Sequence, residues 1–210
     1  PETGIGLFPD VGGTWFLPRC PGEIGMYLAL TGERLKAADA IYAGIADVFV
    51  PSERLAGLRS RLAAGEPVET VSGSLSGDAG TPPLAQNREG IDRHFSKESV
   101  AGILASLKAD GNEWAARVAA IIEAKSPVST LVTYRQVREG RRLGFEDCMK
   151  LEFRLTNRFM KGRDFYEGVR AVVIDKDQKP VWSPATLAGV SAQEVDAYFA
   201  PLGADELSFE

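Results

Sequence analysis

Residues 1–20 read PETGIGLFPDVGGTWFLPRC, and this segment is the most informative part of the chain about its fold. Four glycines are interleaved there with apolar residues, and this density predicts turns and close backbone approach rather than a regular element. From Thr14 the apolar spacing becomes helical, and Pro18 is expected to end that short helix. Two acidic residues, Glu2 and Asp10, stand in this otherwise apolar setting.

The stretch at residues 28–50, LALTGERLKAADAIYAGIADVFV, predicts two short helices. Gly32 suits the C-cap of the first helix, and Gly44 closes the second. Residues 47–50 then predict a brief strand or an extended exit. Leucines three and seven residues beyond Leu55 predict a further helix.

Composition changes at residues 65–83, GEPVETVSGSLSGDAGTPP, where Gly, Ser, Pro and Thr dominate and no periodicity survives. We therefore predict a flexible linker there, between a first part at residues 1–64 and a helical lobe at residues 84–210. In the lobe, apolar residues recur with the 3.6-residue period of amphipathic helices.

Three helix starts in the lobe carry recognisable signals. Ser126 and Pro127 suit an N-cap and a first helical turn, and Gly144 precedes a helix predicted to run to about Lys161. Residues 191–194, Ser-Ala-Gln-Glu, form a capping-box pattern.

Composition excludes several classes of protein. With 44% hydrophobic and 25% charged residues, the 210-residue chain resembles an ordinary globular protein, and no apolar run reaches the ~18 residues of a membrane span. The net charge of -5 leaves no broad basic face for nucleic acid. Cys20 and Cys148 form no C-x-x-C pair, so we expect buried free thiols and a reducing compartment. We expect His94, the single histidine, to be a surface or supporting residue, and no His or Cys cluster predicts a metal site.

Glu2 and Asp10 are the candidate catalytic and substrate-binding residues. Apolar neighbours raise the basicity of a carboxylate by desolvation, which suits a base or nucleophile near neutral pH. The helix that follows Asp10 favours an anion and should keep that residue ionised. The ordinary alternatives are that Asp10 is a plain helix N-cap and that Glu2 is simply solvated.

The two quoted stretches resemble the crotonase superfamily, the enoyl-CoA hydratases and isomerases. In that family an acidic residue after proline enters the active site, a glycine-rich turn leads into a helix, and an L-T-G-x-x-(I/L)-x-A helix pair follows. The resemblance implies an α-rich C-terminal portion of an α/β crotonase (ββα spiral) fold, with a short remnant of the spiral core before the helical lobe. Hydratases of the superfamily usually carry a small residue where this chain has Asp10.

Two branches pair a carboxylate at Asp10 with one eight residues earlier: the 3-hydroxyisobutyryl-CoA hydrolases and the dienoyl-CoA isomerases. Residues 164–171 and 174–182, with Ser126-Pro127 and Arg135-Gln136, are similar to the hydrolase C-terminal lobe. The isomerase branch lacks the helical block at about 84–160. The resemblance covers nearly all of the chain and favours the hydrolase branch.

This resemblance implies hydrolysis of the thioester of 3-hydroxyisobutyryl-CoA to 3-hydroxyisobutyrate and CoA, a step of valine catabolism. Glu2 would act as the nucleophile or as a general base toward water, and Asp10 would orient the substrate hydroxyl or the water. No cofactor and no metal are implied, since CoA is part of the substrate. The family's oxyanion donors and most CoA contacts precede Glu2, so we expect the isolated chain to be inactive.

The sequence also suggests which partners and which cellular compartment the protein has. Because the chain opens at Pro1 directly into the glycine-rich segment, we expect the N-terminal half of the same protein to be missing or to lie on a separate chain. An oligomer is compatible with the resemblance, and a membrane or nucleic-acid partner is not expected. The compartment would be the cytoplasm in a bacterium and the mitochondrial matrix in a eukaryote. Two alternative functions stay open: an enoyl- or dienoyl-CoA isomerase or hydratase, and a non-catalytic crotonase-like subunit.

Overall fold

Helices make up nearly all the regular structure of the chain. The computed structural model describes residues 2–209, and no strand occurs within that range. Its α-helices are α1 (Gly13–Phe16), α2 (Ile24–Thr31), α3 (Ala37–Tyr42), α4 (Leu55–Ala63), α5 (Val68–Leu75), α6 (Pro83–Gln86), α7 (Arg88–Phe95), α8 (Val100–Asp110), α9 (Glu113–Glu123), α10 (Pro127–Gly140), α11 (Phe145–Phe159), α12 (Asp164–Val169) and α13 (Ala192–Phe199). Short 3-10 turns lie at Glu2–Ile5, Leu17–Arg19, Ser52–Arg54, Leu187–Gly189 and Gly203–Asp205, and a π-helical turn follows α12 at Arg170–Ile174. The predicted α-rich fold class is confirmed.

Most of the predicted helix ends are confirmed. Gly32 adopts a left-handed conformation, with a φ of 68°, as the C-cap of α2. The Ser126 hydroxyl accepts a hydrogen bond from the Ser129 N–H at the start of α10, and Gly144 precedes α11. The Ser191 hydroxyl likewise caps α13. Local capping chemistry therefore sets these boundaries.

Of the two alternatives predicted for residues 47–50, a brief strand or an extended exit from α3, the structure shows the extended exit, in which the Phe49 carbonyl accepts a hydrogen bond from the Gly77 N–H. Helix α5 (Val68–Leu75) lies inside residues 65–83, where a linker was predicted. Its Val71 is fully buried, so one well-placed apolar side chain stabilises a helix in a stretch rich in poor helix formers.

The chain divides into two compact units, at positions that differ from the predicted boundaries. One unit combines residues up to 33 with residues from 90 onward, and the other spans residues 34–89. In the first unit α10 packs on α2, and α11 packs on α1. These contacts join segments more than a hundred residues apart, which periodicity within a sequence window cannot reveal.

The core of the larger unit surrounds Phe8. Its ring lies 5.4 Å from that of Phe159, centroid to centroid, and is fully buried. The other buried members of this cluster come from α10, α11 and α13: Val128, Val132, Leu151, Leu155 and Phe199. Burial of a Phe side chain is worth roughly 1.5–3 kcal/mol. The apolar residues of the glycine-rich stretch therefore anchor it onto the C-terminal helices.

In the smaller unit, a buried carboxylate joins two helices. Asp39 Oδ1 of α3 accepts a 2.8 Å hydrogen bond from the Leu84 N–H at the start of α6. The predicted leucine stripe of α4 faces an open groove shared with Val48 and Val68. No residue of α4 is buried, so the stripe is confirmed as a helical face but not as core.

Candidate active site

Glu2 begins a 3-10 turn that lies directly on α12. A Cβ added at Gly168 would stand 2.3 Å from the Ile5 carbonyl carbon, so the two backbones touch where only glycine fits. The Thr3 carbonyl also accepts a hydrogen bond from the Ser126 N–H. These contacts fix the backbone that carries Glu2, whose side chain is half-buried.

Asp10 opens a tight turn and is also half-buried. Its carbonyl accepts a 2.9 Å hydrogen bond from the Gly13 N–H. Burial raises the pKa of the Asp10 carboxyl above its usual value, and the negative charges of Glu2 and Glu152 raise it further. The structure therefore brings the two predicted carboxylates into electrostatic contact, while their catalytic roles stay predictions.

Asp10 is not the N-cap of the helix that follows it. The N-cap residue of α1 is Gly12, which provides no side-chain hydrogen bond. The N–H groups of Gly12 and Thr14 donate instead to the two oxygens of Glu152, at 3.0 and 2.9 Å. The N-cap interpretation of Asp10 is wrong, because a carboxylate from α11 already occupies that role.

Lys125 lies beside the Glu2 turn. Its Nζ lies 3.2 Å from where a Cβ on Gly4 would stand, so the side chain runs along the turn's backbone. Burial lowers the pKa of the Lys125 ammonium, and the charge of Glu2 opposes that shift. The side chain of Lys125 thus places a positive charge beside the turn that carries Glu2.

Sequence reasoning missed Lys125, Glu152 and Gln136 as residues of this site. Gln136 stood only in a motif of the resemblance, without a role, and it is fully buried. Glu152 follows Cys148 by one helical turn and precedes the buried Leu155, so it lies in the apolar stripe of α11. A charged residue in such a stripe must be paired, and that signal identifies Glu152 from sequence.

His94 is buried, so the prediction of a surface position is wrong. Its Nδ1 lies 2.8 Å from Ser106 Oγ, and its Nε2 lies 3.2 Å from Asp110 Oδ2. Arg93 also binds Asp110, at 2.5 Å. Desolvation and the charge of Arg93 lower the pKa of His94. The imidazole therefore serves as a packed link between α7 and α8.

Residues 2–209 hold neither a metal-binding cluster nor a membrane-spanning helix. No cluster of three or more His, Cys, Asp or Glu side chains there could hold a metal ion. No helix in that range is long and apolar enough to cross a bilayer. Cys20 and Cys148 are both free and buried, as predicted, and burial raises the pKa of each thiol.

The chain belongs to the enoyl-CoA hydratase/isomerase family, whose model matches residues 1–199. Two solved structures share the fold across all of this chain: a carnitinyl-CoA dehydratase from Mycobacterium thermoresistibile (TM-score 0.92) and an enoyl-CoA hydratase from Rhodobacter sphaeroides 2.4.1 (TM-score 0.89). Each is 38% identical, and this chain covers 60% of each.

More similar relatives carry one particular name. The mitochondrial 3-hydroxyisobutyryl-CoA hydrolase of Danio rerio is 46% identical over 222 residues, which include 99% of this chain. The Homo sapiens protein of the same name is 42% identical and matches all of the chain. The chain spans 57% of the length of each of these relatives.

Proposed function

We propose that this chain supplies the catalytic carboxylates of a 3-hydroxyisobutyryl-CoA hydrolase, with Glu2 and Asp10 as its acting residues. The observation that carries the proposal is the interaction of two half-buried carboxylates from neighbouring turns, since the charge of Glu2 raises the pKa of Asp10. Relatives of 42–46% identity across the chain that are named for that activity support it. The product acid and CoA would arise in valine catabolism.

Glu2 acts at the thioester carbonyl carbon in one of two ways. As a nucleophile, it forms an acyl–enzyme anhydride, the C–S bond breaks, and CoA leaves as the thiol after gaining a proton. Water then hydrolyses the anhydride and restores the carboxylate. As a general base, Glu2 takes a proton from a water molecule that attacks the same carbon. The charge of Lys125 interacts with that of Glu2 in either route.

Asp10 gives the site its preference for a hydroxylated acyl group. A half-buried carboxylate accepts a hydrogen bond from the substrate hydroxyl or from the attacking water. An acyl group without the hydroxyl leaves this acceptor unpaired in a desolvated place, which costs binding in the transition state. The raised pKa of Asp10 indicates a poorly solvated carboxyl group, and such a group is stabilised when a substrate or water hydroxyl donates a hydrogen bond to it.

The proposed reaction also bears on the cofactor requirement, on the donors that lie elsewhere in the protein, and on the compartment. Water is the only co-substrate, so no cofactor is required. Donors for the oxyanion and for the CoA nucleotide are assigned to other parts of the complete protein, as the family resemblance implies. The compartment is the mitochondrial matrix in a eukaryote, in line with the names of the relatives, or the cytoplasm in a bacterium.

The decisive experiment measures thiol release from 3-hydroxyisobutyryl-CoA by the full-length protein that contains these residues. The Glu2→Gln and Asp10→Asn variants are compared with Glu53→Gln, a control at an exposed carboxylate. We expect each site variant to lose about 100-fold or more in kcat, and the control to match the wild type. Isomerisation or hydration of an enoyl-CoA without thiol release would contradict the hydrolase proposal and favour the alternative enzymes.

A second measurement separates the two roles of Glu2. A single turnover in H₂¹⁸O leaves ¹⁸O in the Glu2 carboxylate if water attacks that carboxyl carbon of an anhydride. It leaves ¹⁸O only in the product acid if Glu2 is a base or if water attacks the acyl carbon of the anhydride. Trapping with hydroxylamine distinguishes these two cases, because only the anhydride can give a Glu2 hydroxamate. Mass analysis of the peptide that contains Glu2 reports both the label and the hydroxamate.

A further inference from the structure

The turn that carries Asp10 has an unfavourable backbone. Val11 has a φ of 53° and Gly12 a φ of 89°, so both central residues lie in the left-handed region. Glycine adopts this region freely, whereas for a β-branched valine it is a strained conformation. The Val11 side chain is 88% exposed, so packing of that side chain does not hold the turn. Other groups must stabilise it.

Glu152 binds the C-terminal side of the turn by hydrogen bonds. The side chain is only 7% exposed, and each of its carboxylate oxygens accepts one backbone hydrogen bond, from Gly12 and from Thr14. Hydrogen bonds from backbone N–H groups to a carboxylate are among the stronger ones in proteins, so these two contacts hold the backbone next to the strained Val11.

Gln136 binds the N-terminal side of the same turn by a hydrogen bond. Its Nε2 donates a 2.7 Å hydrogen bond to the Pro9 carbonyl and another of 2.7 Å to the Thr14 hydroxyl. The side chain is fully buried in α10. Asp10 therefore stands between two backbone positions that the C-terminal helices hold by specific polar contacts.

We propose that Glu152 and Gln136 are positioning residues for Asp10, which they hold in a strained turn at the candidate active site. The inference deepens the proposed function, since it rests on Asp10 acting on the substrate. Neither residue reaches the reacting atoms in this scheme. They act through the backbone of residues 9–14, and Glu152 also acts through its charge.

The charge of Glu152 gives the proposal a signature that a purely structural role lacks. The charged side chains that raise the pKa of Asp10 are Glu2, from the N-terminal turn, and Glu152, from α11. Replacement of Glu152 by the neutral isostere Gln removes one of these repulsions. The pKa of Asp10 then falls, although burial and Glu2 still hold it above the usual value.

The test is a carboxyl-detected ¹³C NMR titration of Asp10 with amide exchange at Gly12 and Thr14, in wild type, Glu152→Gln and Glu146→Gln. Glu146 is exposed in the first turn of the same helix and serves as the matched control. We expect Glu152→Gln to lower the pKa of Asp10 and to speed amide exchange at Gly12 or Thr14 by about tenfold or more, since one acceptor oxygen is lost. The control should change neither.

Activity supplies a second readout. In Glu152→Gln we expect kcat for thiol release to fall by about tenfold or more with little change in KM, because a misplaced Asp10 affects the reacting geometry. Glu152→Asp keeps the charge but shortens the reach, so it should lower kcat while the pKa of Asp10 stays raised. If Glu152→Gln does not fold, Gln136→Met removes both donors with little change in volume and should loosen the Pro9 and Thr14 backbone.

The outcomes separate this inference from the proposed function. An unchanged Asp10 pKa and unchanged amide exchange in folded Glu152→Gln would overturn the positioning role, whatever the activity. The expected NMR changes, in a protein whose wild type releases no thiol, would uphold the positioning of Asp10 and reject the hydrolase.

Discussion

The hydroxyl of Ser126 donates a 2.6 Å hydrogen bond to Oδ2 of Asp164, and both side chains are buried. The other oxygen of Asp164 accepts a hydrogen bond from the Ser183 N–H. Ser126 also caps α10 through Ser129 and donates its own N–H to Thr3. This one serine thus joins α10 and α12 to the turn that carries Glu2.

Replacement of Ser126 by Ala should destabilise the protein by about 2–4 kcal/mol. The change removes an N-cap, worth ~1 kcal/mol, and leaves the buried Asp164 oxygen without its donor, which costs about 1–3 kcal/mol. Urea unfolding followed by circular dichroism measures the loss as a lower midpoint at unchanged m.

Ser129→Ala is the matched control, three residues along the same helix. Ser129 Oγ is buried, and no group within residues 2–209 gives it a hydrogen bond. Its removal should therefore be neutral or slightly stabilising. Equal losses in the two variants would show that the Asp164 contact is not the cause.

Gly140→Ala should destabilise the junction of α1 and α10. An added Cβ would lie 2.3 Å from the Thr14 carbonyl oxygen, and backbone cannot move away as a flexible side chain can. Overpacking of this kind costs about 1–3 kcal/mol. The comparison variant is Gly144→Ala, since nothing lies within 4 Å of its added Cβ. Thermal unfolding should show a lower Tm for the first variant alone.

The sequence predicts the features of this fold that depend on near neighbours. The caps at Gly32, Ser126 and Ser191 each depend on a few adjacent residues, so they can be predicted from the sequence. The carboxylates Glu2 and Asp10 stand out for the same reason, as charges in an apolar, glycine-rich stretch.

The features that sequence reasoning missed depend on contacts between distant segments. Glu152 meets Gly12 across 140 residues, and Gln136 meets Pro9 across 127. Periodicity marks the face on which these side chains lie, but not their partners. Helix α5 was missed because its stability depends on one buried valine, Val71, rather than on propensity.

Asp10→Asn should stabilise the protein at neutral pH while it abolishes the proposed activity. The folded-state pKa of Asp10 is raised, so its ionisation opposes folding. The penalty is fully present above the folded-state pKa and vanishes below the unfolded value of about 3.9. The free energy of unfolding of the variant should exceed that of the wild type at pH 7 and approach it at pH 3.5.

Chemical denaturation at the two pH values checks this, with Asp205→Asn as the control at an exposed aspartate. A neutral or destabilising Asp10→Asn at pH 7 would show that the turn gains from the charge. The expected gain in the free energy of unfolding would mean that the wild-type protein keeps a destabilising carboxylate at position 10 for its function.

His94 should make the protein less stable in mild acid. Its folded-state pKa is lowered by burial and by Arg93, with Lys97 adding to the effect and Asp110 opposing it. Because the unfolded chain binds a proton near pH 6.5 and the folded chain resists it, stability is complete above pH 6.5 and falls as the pH drops below that value. His94→Gln should reduce the difference in the free energy of unfolding between pH 7 and pH 5. The chain has a single histidine, so no other imidazole contributes to this slope. An identical slope in variant and wild type would show that His94 is protonated in the folded state as readily as in the unfolded one.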